Sequence, residues 1–221
     1  MKNMQGLLKK LVSFNKNTNP NPRKRIRKSR GQSLVEFAIA FPIIILLFSG
    51  VVEFGFALNY YLSLLDATRY AARWGSANGD PFLSGYNSAT NVPFYQAVTG
   101  LVVANLDPTV TNPGYQGRRL PLDPALDDVI ITVYGSSGGS AAEFPVEGPY
   151  RLYNNGGDPL FNEERIESRL VSGSPNEGIL VVEVLYNYHQ VLGLPWLAPF
   201  VPDPLVLRAY TIMPLSPAEP P

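Results

Sequence analysis

Residues 37–58 form a run of 22 residues that holds one charge, Glu53, and one proline, Pro42. A bilayer core takes about 20 predominantly apolar residues as helix, so this run is long enough to span. Lipid offers no water to satisfy peptide groups, which leaves the α-helix as the form one such run can take. A helix of a soluble core rarely stays apolar on every side for so long. The run therefore predicts a membrane-spanning helix, with the lipid bilayer as its first partner.

Charge sets its direction. The chain is neutral overall, yet all six lysines lie within the first 28 residues, Arg23, Arg25, Arg27 and Arg30 bring the first 30 to ten basic residues, and no acid appears before Glu36. From Trp74 onward there are 15 acids against six arginines. Basic residues stay on the cytoplasmic side of a span, so the N-terminus is expected inside and the acidic C-terminal domain outside. A cleavable secretory signal fits worse, since its apolar region is about 7–15 residues. The basic tail also suits a nucleic-acid arm. Directly before a span, cytoplasmic retention is the plainer explanation, and no nucleic-acid partner is expected.

Helical character continues past the run. Residues 59–74 contain neither proline nor glycine, and Asp66 and Arg69 stand three apart as helix neighbours do. Gly75 and the Asn78-Gly79-Asp80-Pro81 cluster are stop signals. About 40 residues at 1.5 Å each make a rod of roughly 60 Å, half in lipid and half standing above it as a spine.

Residues 30–75, RGQSLVEFAIAFPIIILLFSGVVEFGFALNYYLSLLDATRYAARWG, carry a recognisable pattern in Arg30-Gly31-Gln32, Glu36-Phe37-Ala38, Pro42, Glu53-Phe54-Gly55 and Ala71-Ala72-Arg73-Trp74-Gly75. It resembles the N-terminal signature of TadE-like proteins, pseudopilin relatives in Tad (Flp-type) pilus assembly. A weaker likeness falls on residues 179–213. The resemblance implies that a prepilin-type peptidase cuts between Gly31 and Gln32, leaving Glu36 as the fifth mature residue. It implies that Glu36 pairs with the N-terminal amine of a neighbouring pilin-like subunit, and that Pro42, Glu53, Gly55 and Arg73 are helix-signature positions. A carboxylate alone in lipid costs about 2.5–3.5 kcal/mol, and a new ammonium at the same depth would neutralise it.

Each residue has a plainer reading beside this one. Gly31 is also a simple separator of tail and helix, and Glu36 also suits the headgroup layer. Glu53, about 25 Å further along the axis, lies at the depth of the outer interface, where a wetted side chain needs no partner. The alternative for Glu53 is a bond to another subunit or a protein partner. Pro42 removes one helical hydrogen bond and needs no ligand. Ser49, Gly50 and Gly55 permit close helix approach without making a GxxxG pair. Headgroups or Asp66 suffice to explain Arg69 and Arg73.

In the remainder, residues 93–106 have apolar Phe94, Ala97, Val98, Leu101 and Val102 at helical spacing. Residues 106–128 are rich in turn formers and predict loop. Three β-rich runs, 129–134, 179–188 and 205–213, predict strands that pair as an antiparallel sheet against the emergent helix. Residues 135–178 hold eight glycines and four prolines in 44 positions, a composition near the limit of ordered packing. Within them, residues 163–171 suggest a short helix with Ile166 and Leu170 inward. Residues 192–200 are an apolar loop, packed under the sheet or, if exposed, in contact with a partner or membrane.

Enzyme chemistry has little to stand on. The glycine- and serine-rich residues 134–140 lack the Gly-Lys-Ser/Thr ending of a phosphate loop and suggest a flexible connection. His189 is the sole histidine, with Ser136 and Ser137 elsewhere and no Gly-x-Ser-x-Gly elbow. Asp123, Asp127 and Asp128 lack calcium-loop spacing. Without cysteine, and with one histidine, the chain does not offer the usual zinc ligands. No cofactor is expected.

The expected architecture is α+β and pilin-like: a basic leader over residues 1–31, a transmembrane and emergent helix over 32–75, and an extracytoplasmic domain over 76–221 with an insertion at 135–178. The expected role is that of a non-catalytic, single-pass TadE-like minor pseudopilin, with pilin-like subunits, the assembly machinery and a prepilin-type peptidase as partners. The alternatives are a membrane-anchored extracytoplasmic hydrolase and an uncleaved adhesin or sensor domain.

Overall fold

A computed structural model describes residues 31–78, 81, 88–144, 148–155, 157–171 and 177–215. The basic segment 1–30 lies outside the described residues. The elements in chain order are α1 (Gln32–Asn78), α2 (Ser88–Leu106), a 3-10 turn (Pro108–Val110), β1 (Asp128–Ser137), β2 (Ser140–Phe144), β3 (Tyr150–Arg151), α3 (Glu163–Glu167), β4 (Glu177–Tyr188) and β5 (Leu205–Leu215). The fold is α+β, a long N-terminal apolar helix followed by a small antiparallel sheet domain. Residues 31–44 and 45–215 fall in two separate compact units.

Helix α1 is continuous for 47 residues and passes through Pro42 and Gly75, so neither residue breaks it. Among the described residues it is the one helix long and apolar enough to cross a membrane. Its N-terminal part presents Leu34, Ile39, Phe48 and Val51 outward as exposed side chains. From Ser49 onward one stripe of α1 is covered: Ser49, Glu53, Ala57, Leu64, Ala67, Thr68, Ala71, Ala72 and Gly75. Steps of three, four and seven along a helix keep to one face. The domain thus engages the helix inside the apolar run, well before Asn59.

The sheet has the order β2-β1-β4-β5, every pair antiparallel, with β3 joining β1 beside β2. The three strands expected from sequence are β1, β4 and β5, and they pair as expected. Alternate residues of each strand face opposite ways. Val129, Ile131, Val133, Leu180, Val182, Val184 and Ala209 enter the core shared with Leu64, Ala67, Ala71 and Ala72 of α1 and Tyr95, Val98 and Val102 of α2. Gly75 marks a close approach, since a Cβ there would stand 2.7 Å from Leu180 Cδ2 and 3.1 Å from Val98 Cγ2. Thr68 and Thr211 share a hydroxyl hydrogen bond of 2.9 Å across the same contact.

The opposite face is also covered, by the glycine- and proline-rich insertion. Tyr134 and Val181 of the sheet pack with Phe161 and Ile166. Backbone bonds to side chains hold the segment there: Tyr134 Oη donates to the Phe161 carbonyl at 2.9 Å, and the Leu160 and Phe161 amides donate to the Glu183 carboxylate. Asn162 caps α3, whose Glu163 and Glu167 accept from the Glu143 and Ala141 amides of β2. Residues 134–140 are therefore no flexible connection. They form a hairpin whose two turn residues, Gly138 and Gly139, have φ of 62° and 98°, the primed geometry that matches strand twist.

Candidate functional site

Glu53 is the most unusual polar group in the domain. It lies in the middle of an apolar helix and is 2 % exposed. A buried carboxylate is strongly disfavoured unless it is hydrogen-bonded. Three donors meet this need. Tyr188 Oη, at the end of β4, donates to Glu53 Oε1. The Val191 amide donates to Oε1 at 2.9 Å and the Leu192 amide to Oε2 at 3.0 Å. Both carboxylate oxygens are thereby used, and the end of β4 with its following loop is fastened to α1. Burial pushes the Tyr188 hydroxyl above the ordinary tyrosine range, so it stays protonated and remains a donor. Tyr60, two turns up α1, meets the Tyr188 ring edge-on with centroids 5.0 Å apart.

This replaces the wetted-side-chain reading of Glu53. Its partners come from its own chain, 135 to 139 residues away. No sequence spacing announces Tyr188, Val191 or Leu192. The available signal was indirect: a lone carboxylate in an apolar run demands donors from somewhere.

The other signature positions lie apart from this clasp. The Gly31 carbonyl accepts the Val35 amide at 3.1 Å, which places Gly31 at the N-cap of α1. Gln32 Nε2 donates to Glu36 Oε1 at 3.0 Å, and both residues are exposed. Gly50 and Gly55 have nothing within 4 Å of an added Cβ, leaving helix surface open there. Arg73 is exposed, and Asp66 and Arg69 form an exposed pair at 3.8 Å.

Along the whole stretch the helix start, the acid five residues past Gly31, Pro42 and the buried Glu53 occupy one continuous helix. Residues 31–73 match the family model of TadE-like proteins. The match covers the N-terminal part of the chain, and Gly31, Gln32, Glu36, Pro42, Glu53, Gly55 and Arg73 fall within it. Searches among curated proteins and among solved structures found no match. The TadE-like segment thus supplies one half of the clasp, and a part of the chain outside the match supplies the other.

The remaining candidates take structural places. His189 Nδ1 lies 2.7 Å from Asp203 Oδ1, where the pair closes the base of the loop between β4 and β5. Ser136 bonds the Glu177 carbonyl at the opposite end of β4. The 12 residues of β4 lie between them, about 3.3 Å each, so Ser136 and His189 are not brought together. Asp123, Asp127 and Asp128 are engaged as backbone acceptors: Asp123 takes the Ala125 amide, Asp127 the Asp123 and Asn187 amides, and Asp128 the Val129 and Tyr153 amides beside Arg151. No cluster of metal-ligating side chains occurs among the described residues.

Proposed function

We propose that this chain is a TadE-like minor pseudopilin that acts, without catalysis, in assembling a Tad/Flp-type pilus. The observation that carries the reading is the family match over residues 31–73, laid on a helix of spanning length. Together these fit a pilus-associated membrane protein, and the TadE-like family is pilus-associated and non-enzymatic.

The finer roles follow from that reading. The basic leader 1–31 stays in the cytoplasm, residues 32–75 span the bilayer and emerge from it, and residues 76–221 form the extracytoplasmic domain. A prepilin-type peptidase cuts between Gly31 and Gln32. Glu36, exposed one turn into α1, then accepts the new amine of a neighbouring pilin-like subunit. Unpaired in lipid, that carboxylate would be costly, so pairing drives helix association. The Glu53 clasp supports a mechanical role, because a pull on the outer domain passes into the membrane helix through bonded groups.

The test is processing. The chain is expressed with its cognate prepilin-type peptidase and its mature N-terminus is read by mass spectrometry. A terminus at Gln32, with processing blocked in Gly31→Val while membrane insertion persists, is the expected result. An intact leader, or a cut after the apolar run, overturns the reading.

A further inference from the structure

The loop between β4 and β5 is left unexplained by a role confined to α1. From Gln190 to Pro202 it contains no charged residue, and it is rich in leucine, proline and aromatic side chains. Its base carries the His189–Asp203 pair and a bond from Gln190 Nε2 to the Val201 carbonyl at 2.9 Å. Its tip is ordered by its own backbone: the Leu197 amide donates to the Leu194 carbonyl at 2.9 Å, and the Phe200 and Val201 amides donate to that of Leu197. Leu197 is buried, but Phe200 is 69 % exposed and Trp196 45 %. A built loop that holds large apolar groups outward marks a contact surface.

What it contacts follows from its neighbour on α1. Leu197, Phe200 and Val201 face Leu47, Gly50 and Phe54 across an open groove of about 430 Å³. Those helix positions belong to the apolar run, and Leu47 and Phe54 are themselves exposed. Whatever medium surrounds Leu47 and Phe54 must also surround Phe200. Gly50 has no side chain to fill the groove, so its width is open to an acyl chain. Tryptophan prefers the headgroup boundary, and the polar His189–Asp203 pair at the loop's base lies at the opposite end from the apolar tip.

We propose that the tip of this loop, Trp196 to Val201, is a second membrane-contacting element, immersed in lipid beside α1 with acyl chains filling the groove. The proposal rests on α1 being the spanning helix. Glu53 then serves the loop as well as the strand. By taking the Val191 and Leu192 amides it satisfies backbone groups at the level where the loop leaves water. The loop and helix together fix the domain's tilt on the bilayer, which a single flexible anchor does not.

The full chain is reconstituted in phosphatidylcholine vesicles, as wild type and as Trp196→Phe. With two tryptophans in the chain, the difference between the two emissions belongs to Trp196. Lipids brominated in the upper acyl chain are expected to remove most of that difference emission, and aqueous iodide to leave it. Phe200→Asp should shift the emission to the red and weaken the bromolipid quenching. A chain that leaves the vesicles on alkaline washing overturns the spanning reading and this proposal with it. Retention with iodide-accessible Trp196 overturns the loop proposal alone. Quenching by neither agent at any lipid-to-protein ratio does so too, and assigns the groove to a protein helix.

Discussion

The hydroxyl of Tyr188 donates to the carboxylate of Glu53, joining the end of β4 to the long apolar helix α1 across 135 residues of chain. With the Val191 and Leu192 amides it forms a set of three donors that uses both carboxylate oxygens. A buried carboxylate without donors is strongly disfavoured. Three donors make it a fastening point instead.

Removing the acceptor strands these donors. Glu53→Ala is expected to destabilise the domain by about 2–4 kcal/mol, because a tyrosine hydroxyl and two amides lose their acceptor. Tyr188→Phe removes one bond and should cost about 1–2 kcal/mol. Denaturant unfolding in mild detergent reads both, and hydrogen exchange at Val191 and Leu192 should quicken far more in Glu53→Ala. Equal protection of those amides in the two variants would count against the clasp.

Gly75 tests the seam between helix and sheet. A valine there places atoms into Leu180 and Val98, neighbours already at 2.7 and 3.1 Å from a single added carbon. Overpacking of this kind costs about 1–3 kcal/mol, so Gly75→Val should lower the unfolding free energy by that amount. Gly55→Ala meets open space and serves as the control, with stability kept or raised by up to about 1 kcal/mol.

Two glutamates of the sheet domain should contribute less stability as pH rises through the glutamate range. Burial raises the Glu183 carboxyl above its ordinary value, and burial with the nearby Glu163 charge raises Glu143. Each group therefore binds its proton more tightly folded than unfolded. Their contribution is fully present below the ordinary glutamate range and declines as pH passes the raised folded-state values. Glu143→Gln should flatten part of the decline, by less than about 1 kcal/mol because Glu143 is partly solvated. Unfolding midpoints measured across acid to neutral pH give the two slopes, and identical slopes would refute this assignment.

Glu36 separates anchoring from assembly. Glu36→Leu removes the charge at the start of α1, so membrane insertion should persist or improve. Co-purification with pilin-like partners should fall if the carboxylate takes a neighbour's amine. Unchanged co-purification would remove Glu36 from that role, whatever the outcome at Gly31.

The insertion between β1 and β4 shows where sequence reasoning stops. Twelve glycines and prolines in residues 135–178 resemble a segment that cannot pack. In the fold its few apolar side chains, Phe161 and Ile166 among them, cover the second sheet face. Most of its hold comes from Glu183, Glu163, Glu167 and Tyr134 reaching backbone groups. Such bonds have no periodicity, so composition alone misjudges them. The strands were legible because β-branched runs bounded by turn residues are local signals. The same holds for α2, although it begins at Ser88, ahead of the expected residue 93, and buries Tyr95 as well.

By itself, the sequence determined a helix of spanning length, its charge asymmetry, the TadE-like pattern and three strands of one sheet. All of these depend on neighbours along the chain, where spacing and hydropathy act directly. Only the tertiary structure decided what Glu53 does, which surface covers the far face of the sheet, and that the apolar loop stands beside α1. Those outcomes depend on groups far apart in the chain, or on backbone donors that every residue but proline carries. A carboxylate states its need for partners in the sequence. Folding alone selects which ones answer it.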